Sequence, residues 1–213
     1  MSELVSIERD GEAVARSALE RAIASGRVVV FPSDGVYGLA CDPLDATAIE
    51  RIHELKGRDD GKSSAVMYFS PLAFRELVAG LGPKARAAAS ALLPGPVTLI
   101  LANPQQRYPL ACREDRERLG VRLIGGPLAG AMCPVFQTSA NLSGQPAVRC
   151  LDAVPASIRA GADLVVDGGG LPGLPSTVVD ISSIEEDGDW KVLRAGAISE
   201  GDLFAALASV GLA

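Results

Sequence analysis

Histidine is nearly missing from this chain: His53 is the single example among 213 residues. A multi-histidine metal site is therefore excluded, and a Ser-His-Asp or Cys-His engine would have to use that one ring. The four cysteines, Cys41, Cys112, Cys133 and Cys150, show no Cys-x-x-Cys spacing, so four reduced thiols are expected. No apolar run approaches the ~18–20 residues of a membrane-spanning helix, which argues against an integral membrane protein. There is no Walker A pattern and no G-x-G-x-x-G, so a bound nucleotide would have to be held by side chains. A basic excess is missing too. Lys and Arg number 20 against 26 Asp and Glu, a net charge of −6, so any nucleic-acid contact would need a local patch. The opening MSELVSIERDGEAVARSALE lacks the basic-then-apolar order of a signal peptide, and the chain is expected to stay in the cytosol.

What is present is an ordinary core-forming composition, 48% apolar and 22% charged in 22.0 kDa. One domain over residues 1–213 is expected. Residues 10–25 read as an amphipathic helix with Asp10 as N-cap, Val14, Ala18 and Ala22 on one face and Gly26 as its stop. Val28–Phe31 is a continuous β-branched and aromatic run, the pattern of a strand buried on both faces. A helix over 45–56 would turn Ile49, Ile52 and Leu55 to the core, and 71–93 reads as two helices broken at Gly82-Pro83. Further strands are expected at 64–69, 97–101, 120–124, 135–137, 163–166, 177–181 and 191–193, with a last helix at 200–210 capped by Ser199. This interleaving lacks strict βαβ order. It implies an α/β fold, a twisted mixed sheet with packed helices.

Four loops hold residues that are poor choices for folding alone. Phe31-Pro32-Ser33-Asp34-Gly35-Val36-Tyr37-Gly38-Leu39 follows the first buried strand and offers polar groups at a strand's carboxyl end, although an ordinary strand exit would look similar. Lys56-Gly57-Arg58, followed by Lys62, either complements a helix dipole or gathers three cations on phosphates. Gln137-Thr138-Ser139-Ala140-Asn141-Leu142-Ser143-Gly144 is either a plain turn or a ring of hydrogen-bonding groups around a phosphate or nucleobase. Asp167-Gly168-Gly169-Gly170 through Gly173 reads as a flexible loop leading to Ser176. Arg122 interrupts an apolar strand and is expected to face a cleft, while Arg194 after a strand reads equally as a solvated residue.

In this order the loops resemble the YrdC-type threonylcarbamoyl-adenylate synthase family. That family's pattern runs F-P-T-[DE]-T-V-Y-G-L, K-x-R, P-G-P-[VL]-T, V-R-x-P, S-x-N, S-T and a late R-P-G. The matching residues are Phe31–Leu39, Lys56/Arg58, Pro94–Thr98, Val121-Arg122, Ser139/Asn141, Ser176-Thr177 and Arg194. The resemblance implies a YrdC-like sheet curved around a large cavity. It also implies that L-threonine and bicarbonate form a carbamate that ATP adenylates with release of pyrophosphate, Mg2+ travelling with ATP. A downstream tRNA threonylcarbamoyl transferase would use the product, and a local RNA contact is compatible with the charge. By matching position Arg58, Lys62, Ser139, Asn141 and Arg194 would meet the nucleotide, with Arg118 and Ala147 beside them. Lys56 and Arg58 would act catalytically, Lys56 by neutralising charge on the parting phosphates. Ser33, Gly35, Tyr37, Met67, Arg122, Gln137 and Ser176 would form the amino-acid end, Arg122 clamping the carboxylate. His53 is expected to take no catalytic part.

The sequence departs from the pattern where it has Gly35 for a threonine, Met67 for a histidine, and Val121-Arg122-Leu123-Ile124 for V-R-x-P. Two lost hydrogen bonds at ~0.5–1.5 kcal/mol each would weaken threonine by about 5- to 150-fold. Space over Gly35, filled by water, would let Gly35→Thr restore affinity. Two other readings remain: an RNA-binding module of the same fold without synthase activity, and an enzyme adenylating a different carbamoyl acceptor.

Overall fold

A computed structural model describes residues 2–57 and 63–212. The chain opens with β1 (Glu3–Ser6), a single turn α1 (Ile7–Asp10) and α2 (Glu12–Ala24). The helix expected from Asp10 begins two residues later, because Gly11 at φ 89° separates α1 from α2. Asp10 closes α1 instead, accepting from the Ser6 amide at 2.9 Å. The buried stripe of α2 is Ala15, Ala18, Leu19, Ala22 and Ile23; Val14, expected on that stripe, is exposed.

A hairpin follows, β2 (Val29–Pro32) against β3 (Tyr37–Cys41), closed by the Ser33 amide donating to Val36 O at 3.1 Å. The sequence reading ran a loop through to Leu39, yet Tyr37–Cys41 is a strand buried at every position. Its glycine and alanine hide a β pattern that pairing with two neighbours enforces. Next come α3 (Ala46–Lys56), β4 (Ala65–Tyr68), α4 (Pro71–Ala79), α5 (Pro83–Leu92) and β5 (Val97–Ala102). Asp45 caps α3 by accepting from the Ala48 amide at 3.0 Å, and Gly57 ends it in the left-handed region at φ 58°. Ile49 and Ile52 are buried beneath it, while Leu55 is half-buried. The rest is α6 (Pro109–Cys112), β6 (Arg118–Leu123), β7 (Val135–Ser139), α7 (Ala156–Gly161), β8 (Leu164–Asp167), β9 (Thr177–Asp180), β10 (Lys191–Arg194) and α8 (Glu200–Ala208).

All ten strands form one mixed sheet in the order β1-β8-β2-β3-β7-β4-β6-β5-β9-β10. Side chains alternate between its faces. One face carries Val30, Leu39, Val66, Leu99, Val121, Phe136 and Val179, the main core beneath α3, α5 and α8. The other is divided. Toward β2 and β8 it is apolar, with Val29, Phe31, Met67, Val135 and Val166 packed under α2. Toward β5, β6 and β9 it carries Thr98, Gly120, Arg122 and Ser176, and there it borders a cavity.

Replacing Asp45 with Ala removes the α3 cap and is expected to cost about 0.5–2 kcal/mol. Urea unfolding should show a lower midpoint at unchanged slope; an unmoved midpoint would mean that tertiary packing alone holds the start of α3.

Candidate active site

The cavity on the polar half of the sheet has a volume of about 640 Å³. Its lining comes from separate loops and strand ends: Val36 after β2, Ser63–Ala65 before and in β4, Thr98 and Ile100 in β5, Arg118 and Arg122 in β6, Gln137–Ser139 in β7, then Asn141, Gln145, Ala147, Ser176 and Arg194. The structure thus brings together Arg122, Gln137, Ser139, Asn141, Ser176 and Arg194, with Arg118 and Ala147 at the same cavity. A separate depression of about 740 Å³ lies between α3 and α6, lined by His53, Glu50, Glu54, Leu110, Arg113 and Arg116. Neither central arginine reaches it. His53 packs edge-on against Phe136 at 5.8 Å, on the main-core face.

Arg122 is 4% exposed in the middle of β6. Its Nη2 donates to Asp34 Oδ1 at 2.6 Å and its Nη1 to Ser33 Oγ at 3.2 Å, while Ser33 Oγ donates to Asp34 Oδ1 at 2.9 Å. Arg194 donates through Nη2 to Ser176 O at 2.8 Å and to Ser176 Oγ at 3.2 Å. Ser176 Oγ also shares a hydrogen bond of 2.8 Å with Thr98 Oγ1. Burial, and then the neighbouring Arg122 charge, pull the Arg194 pKa below its ordinary value. Two guanidiniums therefore face one polar cavity against one close carboxylate, a field suited to anionic ligands. At the rim Arg118 is held by Asp115 and Asp180, and the Asp115 hydrogen bond raises its pKa. Sequence reasoning offers Asp34 only as one of the polar groups of its loop, with Ser33 and Tyr37, and gives no role to Thr98. For Thr98 the available signal was its hydroxyl between Val97 and Leu99, which alternation must turn to the other face.

The loop after β7 is clamped to the end of α3. Lys56, 3% exposed, donates through Nζ to Asn141 O at 2.8 Å and to Ser139 O. The Ser143 amide returns a bond to Lys56 O at 2.9 Å. Asn141 Nδ2 closes the turn on Leu142 O and Gln145 O at 2.9 and 2.6 Å. The described contacts thus give Lys56 a supporting position behind the cavity-lining residues Ser139 and Asn141. Arg58 and Lys62 lie outside the described residues.

Four expected amino-acid-end residues are not on the cavity wall, and of these Ser33 is tied to it through the bond from Arg122 Nη1. Gly35 does not line the cavity, and no room lies over it: an added Cβ would stand 2.0 Å from Leu174 O. The Gly173 amide donates to Gly35 O at 2.8 Å, so backbone packs on backbone there. A second glycine, Gly196, flanks the same segment, where a Cβ would meet Pro175 O and Ser176 O at 2.5 Å. This corrects the expectation of a water-filled space that a threonine could fill. Tyr37 is fully buried in the main core, its hydroxyl donating to Gly169 O at 2.9 Å or Asp167 Oδ1 at 3.1 Å and accepting from the Gly168 amide at 3.0 Å. Burial, above the other influences, pushes its pKa up to about 12. It tethers the glycine-rich segment and is not on the cavity wall. Met67 pairs in register with Arg122 but packs into the second core and does not line the cavity.

A curved α/β sheet with a cationic cavity built from loops defines a class of enzymes that hold anionic substrates by side chains. The chain belongs to the Sua5/YciO/YrdC family, whose model, described as telomere recombination, matches residues 21–196. It is 32% identical over 191 residues to a Thiobacillus denitrificans protein named threonylcarbamoyl-AMP synthase, covering 85% of this chain and 95% of that one. It superposes on P. abyssi Sua5, solved in complex with L-threonine, with TM-score 0.79 and 27% identity over 97% of this chain, and spans 60% of that protein's length. E. coli YciO superposes with TM-score 0.79 and 25% identity over 95% of this chain and all of that one.

Two substitutions test these placements. Lys56→Met leaves the Ser139 and Asn141 carbonyls without their charged donor and is expected to cost about 1–3 kcal/mol in urea unfolding; native stability would show that Lys56 supports nothing. Gly35→Thr must displace the Gly173–Pro175 backbone and should lower stability by about 1–3 kcal/mol. A Gly35→Thr protein with unchanged melting and tighter threonine binding would contradict this packing.

Proposed function

We propose that this chain makes threonylcarbamoyl-AMP from L-threonine, bicarbonate and ATP. The threonine nitrogen forms a bond to the bicarbonate carbon with loss of water, giving a carbamate. A carbamate oxygen then attacks the α-phosphorus of ATP, and the bond to the β-phosphate breaks to release pyrophosphate. The observation that carries this reading is that Arg122 and Arg194 line one cavity together with Ser139 and Asn141. Arg122 takes the amino-acid carboxylate, a bidentate role for which its planar fork is suited. Arg194, Ser139 and Asn141 take the nucleotide, with Arg58 and Lys62 assigned there by the sequence pattern. Asn141 Oδ1 is buried without a hydrogen-bond partner among the described residues, which leaves it an acceptor for a ligand donor.

Among the described residues no three His, Cys, Asp or Glu side chains converge as a metal cage. In this reading Mg2+ is carried in by the triphosphate, held by phosphate oxygens and water. The labile product is passed to a tRNA threonylcarbamoyl transferase. Among the described residues no helix is long and apolar enough to cross a membrane.

Pyrophosphate release should require ATP, bicarbonate and threonine together, and Arg122→Ala should reduce it by about 100-fold or more. Preference for threonine over serine is expected to stay within the ~10- to 200-fold that one methyl group supplies. ATP binding without release under any amino acid, or release with a non-amino-acid carbamoyl acceptor only, would defeat the reading.

A further inference from the structure

We infer that Asp34 is a positioning residue that sets the orientation of Arg122. The inference rests on the reading above, in which Arg122 receives the substrate carboxylate. Asp34 lies in the turn between β2 and β3, while Arg122 lies in β6, so the fold brings them together across 88 residues of chain. Among the described residues Asp34 is the one carboxylate within ion-pair distance of Arg122, at 2.6 Å. Ser33 Oγ bridges the pair, accepting from Nη1 and donating to the same carboxylate oxygen.

The remaining atoms give this arrangement its direction. Arg122 Nε and Asp34 Oδ2 are both buried and have no hydrogen-bond partner among the described residues. Ser33 and Asp34 thus engage the two terminal nitrogens and leave the Nε edge for another acceptor. A buried guanidinium without a fixed counter-charge, facing Arg194 across the cavity, would turn away from that second cation. Asp34 opposes this rotation and balances one of the two positive charges. Among the described residues its carboxylate makes no other side-chain bond beyond this pair and Ser33.

The test compares Asp34→Ala with Asp34→Asn, which keeps an oxygen acceptor for Nη2. Steady-state pyrophosphate release is measured against L-threonine and against ATP, with thermal melting of each variant and a crystal structure of Asp34→Ala. Expected are a threonine KM raised about 10- to 100-fold in Asp34→Ala, a smaller rise in Asp34→Asn, which keeps the acceptor but loses the counter-charge, and an ATP KM within about twofold in both. In the crystal the Arg122 guanidinium should have rotated. Should Asp34→Ala not fold, Asp34→Ser, with a hydroxyl too short to meet Nη2, carries the same expectations. A threonine KM unmoved by both Asp34→Ala and Asp34→Ser, or one that rises together with the ATP KM and a lost melting transition, would overturn the inference. If the unaltered chain releases no pyrophosphate with threonine, the functional reading fails instead. The Arg122 orientation in the variant crystal then decides this inference alone, an unrotated side chain overturning it.

Discussion

The two-residue period of a β-strand governs this molecule. Each strand must satisfy two environments at once, and here the environments differ along the sheet as well as across it. On one face the strands from β2 to β10 contribute to a single apolar layer. On the other, β2 and β8 stay apolar beneath α2, while β5, β6 and β9 border the cavity with Thr98, Gly120 and Arg122 beside Ile100 and Val178. β4 and β7 stand at the boundary. Met67 and Val135 belong to the covered half, and Ala65 and Gln137, two register pairs along, to the open half. The site is thus the portion of a sheet face that no helix covers among the described residues.

Opening a sheet face exposes it to water, but the arginine set into it is still only 4% exposed. Burying a guanidinium in a strand is unfavourable without a carboxylate or an anion to meet it. Here Asp34 meets Arg122, while Arg194 rests on Ser176 O and Oγ with no carboxylate at ion-pair distance among the described residues. The Arg194 pKa, drawn down by burial and by Arg122, reflects the same imbalance.

Much of this was legible beforehand. Proline and glycine bounded α3, α4 and α5 within a residue or two, and Arg122 advertised a cleft by interrupting Val121 and Leu123. Ser139, Asn141, Ser176 and Arg194 converge although they are scattered over the last third of the chain. What stayed hidden depended on contacts between distant backbone segments. A glycine in a motif can mean room for a ligand or room for another backbone, and sequence cannot distinguish the two; Gly35 is the second kind. Tyr37 looked like a ligand group because its hydroxyl's partners, at 167–169, come from a loop read only as flexible. Lys56 looked like a free cation because the carbonyls it meets have no side-chain identity to betray them.

The Gly173–Pro175 segment is held by main-chain atoms: glycine surfaces at 35 and 196 flank it, and the Ala197 amide donates to Pro175 O at 2.9 Å. Such a seat does not depend on which side chains the held residues carry. Leu174, 55% exposed, projects outward while its carbonyl presses on Gly35. Evolution can therefore rewrite the outward chemistry of this segment, to recruit a neighbour or repel one, without moving the serine that follows it. The freedom to vary lies in the segment, and the restriction lies in the two distant glycines that receive it.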